Sequence, residues 1–278
     1  MSTQNWPVFA LDAGHGLNTP GKRTPDGIHE WEIADKARDY AAEYLEPYKC
    51  KVIFPDGNEG KTDESLTSRR SMAISADVDA LVSMHLNAHL GYWGSANGAE
   101  TWVDKNCTAA DLELANLIQK KMVKYMGLKN RGVKKENWTV INTNKVVAVL
   151  TEGGFMDNKK DHKIITSAAG QKAYGRAVAE ALIELFDLEK KEVVEKAPVK
   201  KTDTTKVKKT NFQVKFKEKM EVRKGAGTKY IDVGDCRKGY VYTIKKTKKV
   251  NGVLWGYLKS GAGWVCIDNK YCTRVKTA

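Results

Sequence analysis

Four short apolar runs, VFALDA, KVIFP, DALVSMHL and KVVAVLTE, alternate along the first 190 residues with longer stretches whose apolar residues recur at helical spacing. The longer stretches are HEWEIADKARDYAAEYLE, SLTSRRSMAIS, AADLELANLIQKKMVKYM and QKAYGRAVAEALIELFDL. In the last of them Ala173, Ala177, Leu182, Leu185 and Phe186 fall on one stripe and make a closing helix. Strict strand–helix alternation predicts an α/β domain: a mostly parallel twisted sheet flanked by helices, because parallel strands need a crossover between them. In such sheets the ligand crevice lies at the carboxyl ends of the strands. The residues that follow each apolar run are therefore the ones on which function depends.

The alternation stops near residue 190. A chain of 278 residues exceeds a typical domain of roughly 100–200 residues, so two domains are expected. The segment Lys190–Thr210, rich in Lys, Thr and Val, has no helical stripe and reads as a charged linker. The expected division is 1–189, a linker at 190–210, and a second domain at 211–278. Charge divides at the same place. Residues 1–190 hold 24 Lys and Arg against 26 Asp and Glu, net −2, whereas residues 191–278 hold 23 against 8, net +15. A nearly neutral first domain is thus joined to a strongly basic one, which suits attraction to a polyanion. Five widely spaced cysteines without a CxxC pair argue against a disulfide scaffold or a thiolate zinc finger. No apolar run approaches the roughly 18 residues of a membrane span. The start, MSTQNWPVFALDAGHG, lacks a basic region followed by an apolar stretch, so residence in the cytoplasm without a signal peptide is expected.

Four ionisable residues emerge where the crevice should be. His15 lies between Gly14 and Gly16 after VFALDA; His85 follows DALVSM; Glu30 opens the first helix; Glu152 follows VVAVLT and precedes Gly153 and Gly154. Two histidines and a carboxylate are a standard set for catalytic zinc, and a further carboxylate outside the set can move protons. The bland alternative makes the histidines loop residues with satisfied backbones and Glu152 a neighbour of a helix cap.

LDAGHG, the Glu30 turn, SMHLNA and VLTEGGFMDN, in that order, resemble the motifs of zinc-dependent N-acetylmuramoyl-L-alanine amidases of the Amidase_3 type. The resemblance covers residues 6–187. It implies one Zn2+ held by His15, Glu30 and His85, with Glu152 catalytic, and cleavage of the amide between N-acetylmuramic acid and the L-alanine of the peptidoglycan stem peptide. Two positions depart from the family pattern: Ala13, where Pro is frequent, and Ala34, where Asn is. HEWE also offers Glu32 as a competing ligand. On a helix Glu30 and Glu32 point about 200° apart, so only one can face the metal; Glu30 is preferred. His29 and His162 are expected to be solvated. His89 is a candidate for substrate contact, Asn158 for a helix cap, and Trp93 and Trp138 for either a ligand wall or burial.

Downstream of the linker, β-rich runs alternate with Lys, and Asn251-Gly252 is a hairpin turn signal. The segments VRKGAGT, WGYLKSG and GWV resemble bacterial SH3-like (SH3b) wall-binding domains, which implies a small all-β barrel with Trp255, Tyr257 and Trp264 partly in its core. The combined expectation is a bacteriophage endolysin, made in the host cytoplasm and acting on the wall after release. Its partners would be peptidoglycan and anionic wall polymers rather than nucleic acid. Two rivals are a zinc peptidase or carboxypeptidase cutting within the stem peptide, and a nonenzymatic wall-binding or nucleic-acid-binding protein.

Overall fold

All four apolar runs form strands of one six-stranded sheet, in the order β2-β1-β3-β6-β4-β5. Its elements are β1 (Val8–Ala13), α1 (Glu30–Leu45), β2 (Lys51–Ile53), α2 (Leu66–Ser75), β3 (Ala80–Asn87), β4 (Ala99–Val103), α3 (Ala109–Met126), β5 (Asn130–Lys135), β6 (Val147–Phe155), α4 (Lys159–Ile165) and α5 (Ala168–Leu185). The computed structural model describes residues 6–57, 60–191, 207–228, 230 and 232–275. The chain separates into two units, Met1–Glu192 and Val193–Ala278. Most of the segment read as a linker, 192–206, lies outside the described residues, as do residues 1–5 at the start of the chain.

Strands β2, β1, β3 and β6 are parallel, as the alternation requires. Both faces of these strands are covered. Phe9, Leu11 and Ala13 join Val82 and Met84 in the larger core with α1, α3 and α5. Ala10, Leu81, Ala148 and Leu150 face a second cluster with Ala73 of α2, Val140 and Ile141. Two strands were not foreseen: β4, AETWV, runs antiparallel to β6, and β5, NRGVKK, pairs parallel with β4. Neither has an apolar run to announce it. β5 is an edge strand, where basic residues discourage pairing with another sheet. Asn158 caps the short α4, accepting from the Lys160 and Asp161 amides, while α5 has its own cap in Ser167.

The second unit is an antiparallel sheet of seven strands, β7 (Lys208–Phe216), β8 (Met220–Arg223), β9 (Asp232–Cys236), β10 (Val241–Val250), β11 (Val253–Leu258), β12 (Trp264–Cys266) and β13 (Cys272–Val275). Val214, Phe216, Val222, Ile244, Leu258 and Val265 form its core. Asn251 (φ 50°) and Gly252 (φ 82°) turn β10 into β11, the left-handed pair that a two-residue hairpin requires. Trp255 is buried, and Tyr257 and Trp264 are half-buried with ring centroids 5.3 Å apart. All five cysteines are free thiols.

One buried ion pair joins α2 to the sheet. Arg69 and Asp12 are 1% and 0% exposed, with Arg69 Nη1 2.7 Å from Asp12 Oδ1. Arg69 also donates to the carbonyls of Ala13 (2.6 Å), His15 (2.7 Å) and Glu64 (2.8 Å) and to Asp63 (3.1 Å). All five guanidinium N–H groups are thereby used. Asp12 Oδ2 accepts from Ser83 Oγ at 2.5 Å. Removing one partner of a buried pair costs about 3–5 kcal/mol, because the other charge is left uncompensated. Arg69→Met is expected to lower stability by that amount in urea denaturation, and adding Asp12→Asn should recover part of the loss.

Candidate metal centre

The ends of β1 and β3 and the first turn of α1 converge. After Ala13 the chain keeps its ladder for one more bond, Gly14 N–H to the Met84 carbonyl at 2.9 Å, and then turns. Gly14 is dictated by close approach, since a Cβ there would lie 2.3 Å from the His85 ring. His15 makes the turn in the left-handed region (φ 64°), where a non-glycine residue is strained. The Arg69 guanidinium holds its carbonyl there.

Glu30 is the first residue of α1 and is buried, 1% exposed. Its Oε1 accepts from the Leu86 amide at 3.1 Å and lies 3.0 Å from His85 Nδ1; its Oε2 lies 3.5 Å from His15 Nε2. The His15 and His85 rings meet edge-on, centroids 4.9 Å apart. Glu32 points elsewhere. Its carboxylate accepts from the His29 amide at 3.1 Å, as part of the cap of α1. Helix geometry thus separates the two acids as their spacing demands.

His15, Glu30 and His85 each offer a ligand atom, and these atoms lie within 4.8 Å of one another. Electrostatics favours a cation between them. Burial lowers the His15 imidazole to about 4, keeping it neutral and able to ligate at pH 7. Burial would raise the Glu30 carboxyl, but the hydrogen bond from His85 and the two imidazoles outweigh it and hold it below the usual range. Burial likewise opposes charge on His85, and Glu30 overcomes it, so His85 is raised. Glu30 and His85 thus stabilise each other's charged forms. His85 Nε2 is buried without a hydrogen-bond partner among the described residues. The donor set and this orphaned nitrogen fit a divalent metal with nitrogen and oxygen ligands.

Glu152 stands beside the cluster, in register with His85 across β3 and β6. Its Oε2 is buried and has no partner among the described residues. Burial, reinforced by Glu30 and Glu100 and opposed by His85, pushes its carboxyl up to about 8. Behind it, the Tyr174 hydroxyl of α5 lies 3.2 Å from the carbonyls of both His85 and Thr151, pinning the two strands that carry the pair.

The other sequence candidates lie outside this cluster. His89 is exposed, and its amide donates to Asp157 at 2.7 Å. His162 is half-buried rather than solvated: its Nε2 is 3.0 Å from Asp26, and Trp93 stacks edge-on against it at 5.1 Å. His29 is also half-buried, at the cap of α1. Trp93 and Trp138 are 37% and 44% exposed, Trp138 resting on Trp102. Sequence reasoning missed Asp12, Arg69 and Tyr174. Asp12 stands inside LDAGHG, three residues before His15, and was the one of the three with a signal.

Calorimetric titration of the full chain with Zn2+ separates the two acids of HEWE. Glu30→Gln is expected to weaken binding by more than about 100-fold, beyond the range for loss of a merely supporting residue. Glu32→Gln should keep the metal affinity and most of the stability, because a Gln oxygen can still accept from the His29 amide.

The family model for N-acetylmuramoyl-L-alanine amidase, Amidase_3, matches residues 9–184. An endolysin of Bacillus phage SPP1 is 29% identical over 279 residues, spanning 95% of this chain and 96% of that protein. The N-acetylmuramoyl-L-alanine amidase CwlM of Bacillus licheniformis is 27% identical over 181 residues, 65% of this chain and 69% of its own length. Among solved structures, an N-acetylmuramoyl-L-alanine amidase from Clostridium difficile 630 superposes with a TM-score of 0.61 at 25% identity, covering 66% of this chain and 98% of that one. The catalytic domain of CwlV from Bacillus (Paenibacillus) polymyxa gives 0.59 at 25% identity, over 66% of this chain and 99% of its own. With the family model matched from β1 through most of α5, the chain belongs to the Amidase_3 family of N-acetylmuramoyl-L-alanine amidases, hydrolases of the peptidoglycan amide that joins glycan to stem peptide.

Proposed function

We propose that this chain is an endolysin-type amidase in which His15, Glu30 and His85 hold one Zn2+ and Glu152 moves the protons. When bound, zinc supplies Lewis acidity to a carbonyl oxygen and lowers the pKa of water to about 7. The observation that carries the reading is the buried, unpartnered Glu152 Oε2 next to a His/Glu/His cluster. Burial that raises the Glu152 carboxyl suits delivery of a proton to a leaving group. Glu152 takes a proton from the attacking water and delivers it to the departing L-alanine nitrogen. Tyr174 fixes β3 against β6 and so holds the strand that carries Glu152 beside the one that carries His85.

Purified Gram-positive cell walls provide the test. Glu152→Ala is expected to slow turbidity loss by about 10²–10⁴-fold, the usual worth of a positioned acid–base group. Chelation should abolish lysis, and added Zn2+ should restore it. The products should be glycan strands free of peptide and peptides beginning with L-alanine. New ends within the stem peptide would indicate a peptidase instead, and undiminished lysis by Glu152→Ala would sink the proposed chemistry.

The basic second unit supports a further part of the same reading, a SH3-like wall-binding module. Its Lys-rich β7 and β10 and a net charge of +15 over residues 191–278 suit teichoic acids and other anionic wall polymers. Retention on the wall raises the local concentration of the catalytic unit at an insoluble substrate. Such attraction is screened by salt, with a Debye length of about 10 Å at 0.1 M and about 3 Å at 1 M. Co-sedimentation of the Glu152→Ala chain with walls should therefore fall steeply as NaCl rises over that range, and salt-independent retention would point to an uncharged wall ligand.

A further inference from the structure

The metal cluster and Glu152 occupy only part of the sheet edge. Beyond β6 come β4 and β5, and the polar row continues across them. His85 is in register with Glu152, and Glu152 with Glu100 of β4. Residues paired directly across strands share a face, so His85, Glu152 and Glu100 stand in one line.

Glu100 is buried, its side chain 3% exposed. Its Oε1 accepts from Asn87 Nδ2 at 2.8 Å, and its Oε2 accepts from Arg131 Nε at 2.5 Å and Lys134 Nζ at 2.6 Å. One carboxylate thus faces two cations, leaving one positive charge in excess. Neutralising Glu100 needs only one of them. Arg131 and Lys134 are 29% and 33% exposed, so both reach solvent. Their heads are held in place by rings: Arg131 lies over Phe155 at 4.8 Å and Lys134 over Trp102 at 5.1 Å. An ammonium has three donors and a guanidinium five; Glu100 takes one from each, and the Asn97 carbonyl accepts one more from Arg131 at 3.4 Å.

The proposed reaction orients the substrate along this row. Glu152 gives its proton to the leaving nitrogen, so that nitrogen lies at β6, the acyl group lies on the His85 side, and the leaving peptide runs toward β4 and β5. Neighbouring strands are about 4.8 Å apart and successive Cα atoms about 3.8 Å apart. A carboxylate on the second residue of the leaving peptide therefore falls about one to two strands beyond Glu152, where the two cations are. We propose that Arg131 and Lys134 form an anion subsite that receives a carboxylate on the second residue of the leaving peptide. The subsite distinguishes a free carboxylate from its amide. This assignment rests on the proposed role of Glu152.

The test uses the full chain loaded with Zn2+ and two soluble muramyl tripeptides that differ only in whether the second residue's free carboxyl is ionised or amidated. The wild type is expected to favour the carboxylate by about 10- to 100-fold in kcat/KM, largely through KM, the range of a hydrogen bond to a charged group. Arg131→Gln and, separately, Lys134→Gln should shrink that preference toward unity, and Arg131→Lys should regain part of it. Each variant leaves a cation on Glu100, and thermal melting checks that it is folded. Equal cleavage of the two compounds by the wild type, or an equal loss on both in the variants, overturns the subsite. Failure of the underlying reading looks different: no cut at the lactyl–alanine bond, or full activity in Glu152→Gln, which sinks both.

Discussion

The Arg69 guanidinium is the constraint on which the site depends. It spends all five donors on the end of β1 and the loop before α2, and by gripping the His15 carbonyl it keeps that residue in a left-handed turn that its side chain alone would disfavour. A non-glycine residue in that region costs of order 1–3 kcal/mol and persists only where its surroundings over-determine it. The position of His15, and with it one of the three proposed ligands, is thus set by a side chain more than fifty residues further along the chain. Gly14 completes the arrangement from the other side by leaving room for the His85 ring.

The rest of the centre follows from strand register. Parallel pairing of β3 with β6 sets His85 beside Glu152, and antiparallel pairing of β4 with β6 sets Glu100 next in line. A slip of one residue in either pairing would turn the row to the opposite face. Tyr174 opposes such a slip between β3 and β6, since its hydroxyl spans carbonyls of both strands. Rigid strands therefore hold the proposed acid–base group Glu152 and the proposed ligand His85, while a loop and a helix start supply the other two, His15 and Glu30.

Much of this was legible in the sequence, for physical reasons that can be named. Strands buried on both faces are continuous apolar runs, so β1, β2, β3 and β6 stood out, and the helices between them showed their stripes. His15, Glu30, His85 and Glu152 were visible because they follow those runs, and the choice of Glu30 over Glu32 follows from helix geometry. β4 and β5 were hidden because their residues face a charged cluster and an edge, giving neither apolar continuity nor clean alternation. Arg69 and Tyr174 were hidden for another reason: each lies on a helix whose stripe explains its neighbours, and its role consists of bonds to distant carbonyls. His162 was misjudged because its partners, Asp26 and Trp93, come from far segments.

The partition of charge between the two units has a consequence for how such a protein can diversify. Under the proposed wall attachment, an almost neutral catalytic unit leaves retention on an anionic matrix to the lysines of the other unit. Substitutions on those exposed strands leave the polar row of His85, Glu152 and Glu100 untouched. On that reading, grip and chemistry are nearly independent traits, and a change in wall composition is met on one without disturbing the other.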